Sequence, residues 1–375
     1  MDDSINSKLN FNFKVNQQIL KLISFIDTFK GKWNIIEQRE NRYLQELRKI
    51  ATIESIGSST RIEGVKLTNK EIENIINNLN ISNLKTRDEQ EIVGYWETLD
   101  TIIDNYTDIR ITENYIKQLH NILLKYSDKD EKHKGNYKQL TNKVVATYPD
   151  GQQRVIFKTT EPHLVDKEMS ELVEWANINF ENQEIHPLIV IATFVYEFLS
   201  IHPFQDGNGR LSRLLTTLLL LQQQYMFVQY VSFENVIETK KKEYYKALMD
   251  GQKDRNTDKE IIDNWIVYFL DCLQILIQRL EEKYQIYKDV KAYLNERQKL
   301  IKEIIIKNQP LKISDIMKNL ENSLQILADS SKPEETDYAQ GLIVNELNRL
   351  QKERSQFHSI DPAEDSRDPN YHKGF

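Results

Sequence analysis

Two strongly apolar segments flank a short loop that holds the chain's only close pair of glycines, Gly207 and Gly209, and this arrangement constrains the fold more than any other feature. In Pro187–Ile201 the sole charged side chain is Glu197. At 15 residues this run is short of the roughly 20 a membrane span needs. It therefore reads as a helix buried at the centre of a globular chain. Residues 211–225 form a second such run, so the loop between them is held by two core helices. Glycines that close together mark a place where backbone must turn freely or approach a ligand.

The remaining pattern is overwhelmingly helical. Apolar residues recur at three- and four-residue spacing in 17–29, 33–53, 89–106, 112–126 and 165–180. Thr68 followed by Glu71 reads as a capping box opening a helix through residue 79. The isolated glycines Gly31, Gly57, Gly64, Gly94, Gly135, Gly151 and Gly251 are expected at element ends. One segment breaks the rhythm. The β-prone runs 143–147 and 153–157 are separated by Tyr148-Pro149-Asp150-Gly151-Gln152, which predicts a β-hairpin. Such a hairpin is either a surface ornament or a flap beside an active site.

Beyond about residue 275 a long amphipathic helix (270–294) leads to a smaller unit whose pattern suggests a helix-turn-helix or winged-helix module. The expected division is 1–110, an N-terminal helical region; 111–275, the principal domain; 276–358, linker helix and winged-helix-like module; and 359–375, a loose polar tail. The fold class expected is mainly α.

Composition narrows the function. The 375 residues carry a net charge of −7, which disfavours a protein that coats nucleic acid through its phosphates. The single cysteine, Cys272, excludes an intramolecular disulfide framework and a cysteine-rich zinc site. The opening Met1-Asp2-Asp3-Ser4 is not a basic segment followed by an apolar run, so a cytoplasmic location without membrane contact is expected.

The chemistry concentrates in His202-Pro203-Phe204-Gln205-Asp206-Gly207-Asn208-Gly209-Arg210-Leu211-Ser212-Arg213. Backbone N–H groups at a glycine-rich turn entering a helix favour phosphate. Arg210 and Arg213, three apart on the first turn of that helix, occupy neighbouring positions able to clamp a polyphosphate. Asp206 offers a hard oxygen to Mg²⁺, and His202 has the ordinary pKa of a general base. Together these residues describe phosphoryl or nucleotidyl transfer.

The same twelve residues resemble, position for position, the signature of the Fic family, His-Pro-Phe-x-(Asp/Glu)-Gly-Asn-Gly-Arg-x-x-Arg, and the resemblance extends over about 30–275. It implies a Fic-type helical core with a hairpin flap, and AMPylation: transfer of AMP from ATP to a Ser, Thr or Tyr hydroxyl of a target protein. His202 would then deprotonate the target hydroxyl, and Asp206 would hold Mg²⁺ (or Mn²⁺). Gly207, Asn208 and Gly209 would form the anion hole, Arg210 would bind phosphate and Arg213 would meet the γ-phosphate. Leu211 and Ser212 fall in the same ATP-binding stretch, and Phe204 would pack the loop into the core. The related Doc branch transfers the γ-phosphate, but its motif departs at glycine and arginine positions that are intact here.

Upstream, Ser59-x-x-x-Glu63-Gly64 resembles the family's inhibitory motif, in which the glutamate pairs with the second arginine, here Arg213, and blocks the γ-phosphate site. Thr60-x-x-Glu63 is alternatively a capping box, although Gly64 directly after Glu63 reads as a helix stop. In some relatives with such a glutamate, AMP removal also occurs. The hairpin sits where the family places its target-docking flap, with Arg154, Val155, Ile156 and Phe157 lining the site. It has Lys158-Thr159-Thr160 where a proline pair is commoner. Tyr244 and Tyr245 match a tyrosine pair near the adenine pocket, or are two core aromatics. Gly135-Asn136-Tyr137-Lys138 resembles a core segment with Lys138 where Arg is usual, and is assigned structure only. A homodimer is compatible with the family and the long apolar helices. The alternative function is a transcriptional regulator acting through the C-terminal module. Its candidate recognition helix carries Arg349, Lys352 and Arg354 against Glu335, Asp337, Glu346 and Glu353, a poor footprint for DNA.

Overall fold

The computed structural model describes residues 3–293 except 40, 80–83, 85 and 148–152. The chain divides into two units, Met1–Ile286 and Tyr287–Phe375. The expected winged-helix-like module and tail lie outside the described residues.

In the first unit α1 (Asp3–Asn6) precedes two long helices, α2 (Phe13–Arg39) and α3 (Asn41–Ile62). Then come α4 (Asn69–Asn77), α5 (Arg87–Asn105) and α6 (Glu113–Leu123). Strands β1 (Lys143–Thr147) and β2 (Gln153–Lys158) form one antiparallel hairpin, with Lys143 opposite Lys158, Val144 opposite Phe157, and a bulge after Val144. Next are α7 (Val165–Asn182), α8 (Pro187–Ile201) and α9 (Asn208–Gln222), and then α10 (Phe233–Thr239), α11 (Lys241–Gln252) and α12 (Asp263–Tyr293). None of the described helices is long and apolar enough to cross a membrane.

Helix α8 is the centre, buried from Leu188 to Ile201 except where Ile189 is partly covered, and packed between α7 and α9. Full burial of each such aliphatic or aromatic side chain contributes roughly 1.5–3 kcal/mol, which is why this run is so apolar. Pro187 occupies its first position, where the missing N–H costs nothing, and His186 accepts from Leu188 N at 3.3 Å as cap. Glu197 is neutralised inside the core by Lys8, 2.5 Å away, and by Arg255 at 3.0 Å. The Thr68–Glu71 capping box forms as expected at the start of α4, and a second, Thr86–Glu89, starts α5.

Three of the isolated glycines are not element ends. Helix α2 runs through Gly31, so the break expected before residue 33 falls near residue 40 instead. Gly57 and Gly94 lie inside α3 and α5 because neighbours approach their backbones closely. A Cβ on Gly94 would stand 2.1 Å from Leu123 O, and one on Gly57 2.5 Å from Asn69 Oδ1. Gly64, at φ +110°, is the helix stop that its sequence context suggested.

Candidate active site

The loop between α8 and α9 is shaped by two left-handed residues. His202 caps α8 at φ 53°, an uncommon conformation for a side-chain-bearing residue, and Gly207 precedes α9 at φ 79°. Asn208, the first residue of α9, closes the turn, accepting from Phe204 N at 2.8 Å and donating to Phe204 O at 2.7 Å. Phe204 is fully buried and stacks on His120 with ring centroids 3.8 Å apart.

His202 carries the chemistry best suited to a base. Its Nδ1 lies 3.2 Å from Leu199 O. A carbonyl only accepts, so Nδ1 bears the proton and Nε2 keeps a free lone pair. Burial lowers the imidazole pKa to about 4, so the ring is neutral at physiological pH. Asp206 sits four residues on. Burial works to raise its pKa, but Arg210 and Lys129 outweigh it and bring it down to about 2. Lys129 Nζ is 2.6 Å from Oδ2, and Arg210 Nη2 is 3.2 Å from Oδ1.

Arg210 and Arg213 diverge. The Arg210 guanidinium is buried against Asp206 and Glu91, with Nη1 3.3 Å from Glu91 Oε2, while its Nε and Nη1 have no hydrogen-bond partner. Arg213 is engaged instead by Ser59 and Glu63 at the end of α3. Its Nε donates to Ser59 Oγ at 2.8 Å, and its Nη2 donates to Ser59 O at 3.0 Å and to Glu63 Oε1 at 2.8 Å. Burial alone would raise the Glu63 pKa, but Arg213 and then Arg210 prevail and lower it, so the carboxylate is ionised. Gly209 makes this approach possible, because a Cβ there would lie 2.5 Å from Glu63 Oε1.

Glu63 is held in place from behind. Arg61 makes a two-pronged contact with Glu238 on α10, at 2.7 and 3.1 Å, and donates to Asn69 Oδ1 at 3.0 Å. Lys241 Nζ caps Ile62 O at 2.9 Å. The last turn of α3 is thereby fixed to α4, α10 and α11.

A cavity of about 250 Å³ joins these groups. Its walls include Glu63, Lys143, His202, Asp206, Gly209, Arg213, Tyr244 and Tyr245. Gly207 and Asn208 also border it, so the first turn of α9 opens on the cavity. Tyr244 and Tyr245 meet edge to face at 5.2 Å, and are at once packed aromatics and cavity wall. Arg210, Leu211 and Ser212 do not line it. Leu211 is in the core, and Ser212 Oγ donates to Gly209 O at 2.8 Å. In the hairpin Phe157 is buried and Val155 is 51% exposed, and Lys143 and Val144 of β1 border the cavity. Arg154 and Ile156 belong to β2 by backbone.

Three contributors lie outside the motif and escape motif reasoning. His120 donates from Nε2 to Asp206 O at 3.0 Å and accepts from Gly135 N at Nδ1, 2.9 Å. Lys129 meets the Asp206 carboxylate, and Lys138 meets the loop backbone at Ile201 O, 3.0 Å. Of these only Lys138 had a local signal, in its tetrapeptide.

Residues 110–220 match the Fic/DOC family. Over 93 residues the chain is 38% identical to a Fido domain-containing protein of Dictyostelium discoideum, covering 25% of this chain and 59% of that protein. Over 187 residues it is 29% identical to Protein adenylyltransferase Fic of Drosophila willistoni, covering 49% of this chain and 35% of that protein. The chain thus spans less than two thirds of each of these relatives, 59% of one and 35% of the other. A Fic family protein from Desulfovibrio desulfuricans G20 superposes with a TM-score of 0.61 at 23% identity, over 84% of this chain and 86% of the other. Fic-1 of C. elegans gives 0.53 at 19% identity, over 73% and 74%. These likenesses establish a Fic fold.

Proposed function

We propose that this chain, whose residues 110–220 form a Fic/DOC family domain, is a protein adenylyltransferase that restrains itself. It transfers AMP from ATP to a Ser, Thr or Tyr hydroxyl of a target protein. The observation that carries the reading is the Glu63–Arg213 contact, 2.8 Å long, in the wall of a cavity of about 250 Å³ that a histidine kept neutral by burial also lines.

In this reading His202 Nε2 takes the proton of the target hydroxyl. The freed oxygen attacks the α-phosphorus, the bond to the β-phosphate breaks, and pyrophosphate leaves. The first turn of α9 supplies N–H groups and the positive end of the helix to the phosphates. Arg213 is the natural partner of the γ-phosphate, and Glu63 occupies it. With Glu63 removed, Arg213 keeps both Ser59 contacts and gains a free charge. The Tyr244–Tyr245 wall faces the nucleoside, and the hairpin edge beside Val155 accepts the target chain by strand addition.

Asp206 fits a divalent cation. Among the described residues no trio of His, Cys, Asp or Glu forms an all-protein cage. A single carboxylate bordering the cavity suits Mg²⁺, which is completed by phosphates and water. The ion would supply charge neutralisation between the phosphates, and Lys129, with its side chain 60% exposed, is free to swing off Asp206.

The test is isotope tracing with the Glu63→Gly protein, using ATP labelled at the α- or the γ-phosphate with candidate target proteins. Label entering protein from the α-position alone, and lost in Glu63→Gly/His202→Ala, is expected. Transfer from the γ-position would replace adenylyl by phosphoryl transfer.

A further inference from the structure

We propose that Lys138 is a positioning residue that couples the hairpin flap to the loop carrying His202, so that the strand which docks the target and the base that deprotonates it move as one piece. The functional half of this inference rests on the adenylyltransferase reading above. The coupling itself does not.

The Lys138 ammonium is buried, and its three protons go to three uncharged oxygens: Asn142 Oδ1 at 2.8 Å, Thr159 Oγ1 at 2.8 Å and Ile201 O at 3.0 Å. Its backbone N–H donates to Pro203 O at 2.8 Å. Asn142 extends the cluster by donating from Nδ2 to Phe204 O at 2.8 Å. Thr159 Oγ1 donates in turn to Asn142, reaching its carbonyl O at 2.9 Å. One small cluster therefore fixes the carbonyls on both sides of His202 and the next one along. Those flanking carbonyls hold the peptide units that keep His202 at φ 53°.

The other end of the cluster is the flap. Asn142 immediately precedes β1 and Thr159 immediately follows β2. These two residues close the open end of the hairpin, and both reach the loop through the same ammonium. The hairpin is only two strands, and an isolated pair of that size is marginal in water. What anchors its base sets its position over the cavity.

Packing alone does not explain a lysine here. Burying an ammonium without a contacting carboxylate is costly, whereas an apolar side chain of similar length would fill the space. The cost shows in the pKa, which burial lowers to about 8, against the pull of Glu161 and of Glu168 on α7. The same positive charge, after burial itself, helps keep the His202 imidazole unprotonated, opposed by the Leu199 carbonyl and then by Glu63 and Asp206.

Three variants of the whole chain test the coupling, Lys138→Met, Thr159→Val and, as the conservative rescue, Lys138→Arg. Lys138→Met keeps the stem and removes the charge and all three donors. Thr159→Val removes only the flap-side oxygen and leaves the Lys138–Ile201 bond in place, which keeps the test alive if Lys138→Met does not fold. Hydrogen exchange read by mass spectrometry should accelerate together in the flap (143–158) and in the loop (203–209), by about 5- to 100-fold for Thr159→Val, as expected for the two hydrogen bonds its hydroxyl makes, one accepted from Lys138 and one donated to Asn142. Acceleration confined to the flap would overturn the coupling. In folded Lys138→Met, the His202 ring titrated by NMR should move up from about 4. Lys138→Arg, which retains charge and donors, should hold His202 in place and restore the exchange. An unmoved His202 in Lys138→Met would overturn the ammonium's action on the base. In a Glu63→Gly background, Lys138→Met should cut transfer to protein about 100-fold with ATP affinity within about twofold, the pattern of lost positioning. If Glu63→Gly transfers no AMP, the adenylyltransferase reading falls, and the exchange data still decide the coupling.

Discussion

His120 offers a quantitative test of how the loop is held. The perturbation is His120→Phe, which preserves the ring stacked 3.8 Å from Phe204 and deletes both ring nitrogens. Two groups then lose their partner: Asp206 O, which accepts from Nε2, and Gly135 N, which donates to Nδ1. A buried polar group left unpaired costs roughly 1–3 kcal/mol. Gly135 is only partly covered, so water recovers some of its loss. The sum is about 2–4 kcal/mol, towards the upper part of what single substitutions do. The assay is urea unfolding at pH 7, with wild type and variant compared at the same slope. A loss below about 0.5 kcal/mol would refute the claim that these bonds hold the loop.

The same residue makes a pH prediction with a definite sign. Burial lowers the His120 pKa from 6.5 to about 4. Between those values the unfolded chain binds a proton that the folded chain refuses. The stability present above pH 6.5 is therefore lost as pH falls toward 4, by up to about 1.4 kcal/mol per unit for one proton. His202, also lowered from 6.5 to about 4 by burial, adds a second such proton. His120→Phe should shed one of the two and flatten the acid limb. An unchanged limb would show that His120 is not buried neutral.

Three further outcomes follow from particular contacts. Arg61→Ala frees the last turn of α3 from Glu238 and Asn69. It should raise transfer several-fold, but less than loss of Glu63 itself, and equal or lower activity than wild type would count against Arg61 as the support of the restraint. Gly94→Ala places a methyl 2.1 Å from Leu123 O. Forcing α5 and α6 apart should cost about 1–3 kcal/mol, read as a lowered Tm, and an unshifted Tm would be inconsistent with that packing. Cys272 is buried, and burial pushes its thiol up to about 12. It should resist iodoacetamide at pH 8 while folded and react once unfolded in urea; alkylation of the native protein would contradict its placement.

Much of the site was legible because its residues are contiguous. The twelve positions from His202 to Arg213 announce a turn, a helix start and a set of charges. Gly64 announces that Glu63 ends a helix, and the spacing of β-prone residues around Pro149-Asp150-Gly151 announces a hairpin. What stayed hidden is whatever depends on three-dimensional proximity. His120 and Lys129 lie 86 and 77 residues from Asp206, and nothing local marks them. Arg210 and Arg213 look like a matched pair in sequence, and they start from neighbouring positions of one helix face, yet one guanidinium is drawn to Asp206 and Glu91 and the other to Ser59 and Glu63, partners supplied by other parts of the chain. Gly57 and Gly94 misled for the same reason. Helix–helix approach, not a chain end, requires them.

The most direct measurement is the rate at which AMP from α-labelled ATP enters protein, compared between wild type and Glu63→Gly under Mg²⁺, with Glu63→Gly/His202→Ala as control. The Glu63–Arg213 contact is charge-assisted, but the Glu63 side chain is 36% exposed and solvent screens the pair, so about 1–2 kcal/mol is a fair value for what it withholds, equivalent to roughly 5- to 30-fold in rate. The account predicts a gain of at least that size in Glu63→Gly, with no label in the double variant. Equal incorporation by wild type and Glu63→Gly would contradict the restraint, and label surviving the loss of His202 would contradict the assignment of the base.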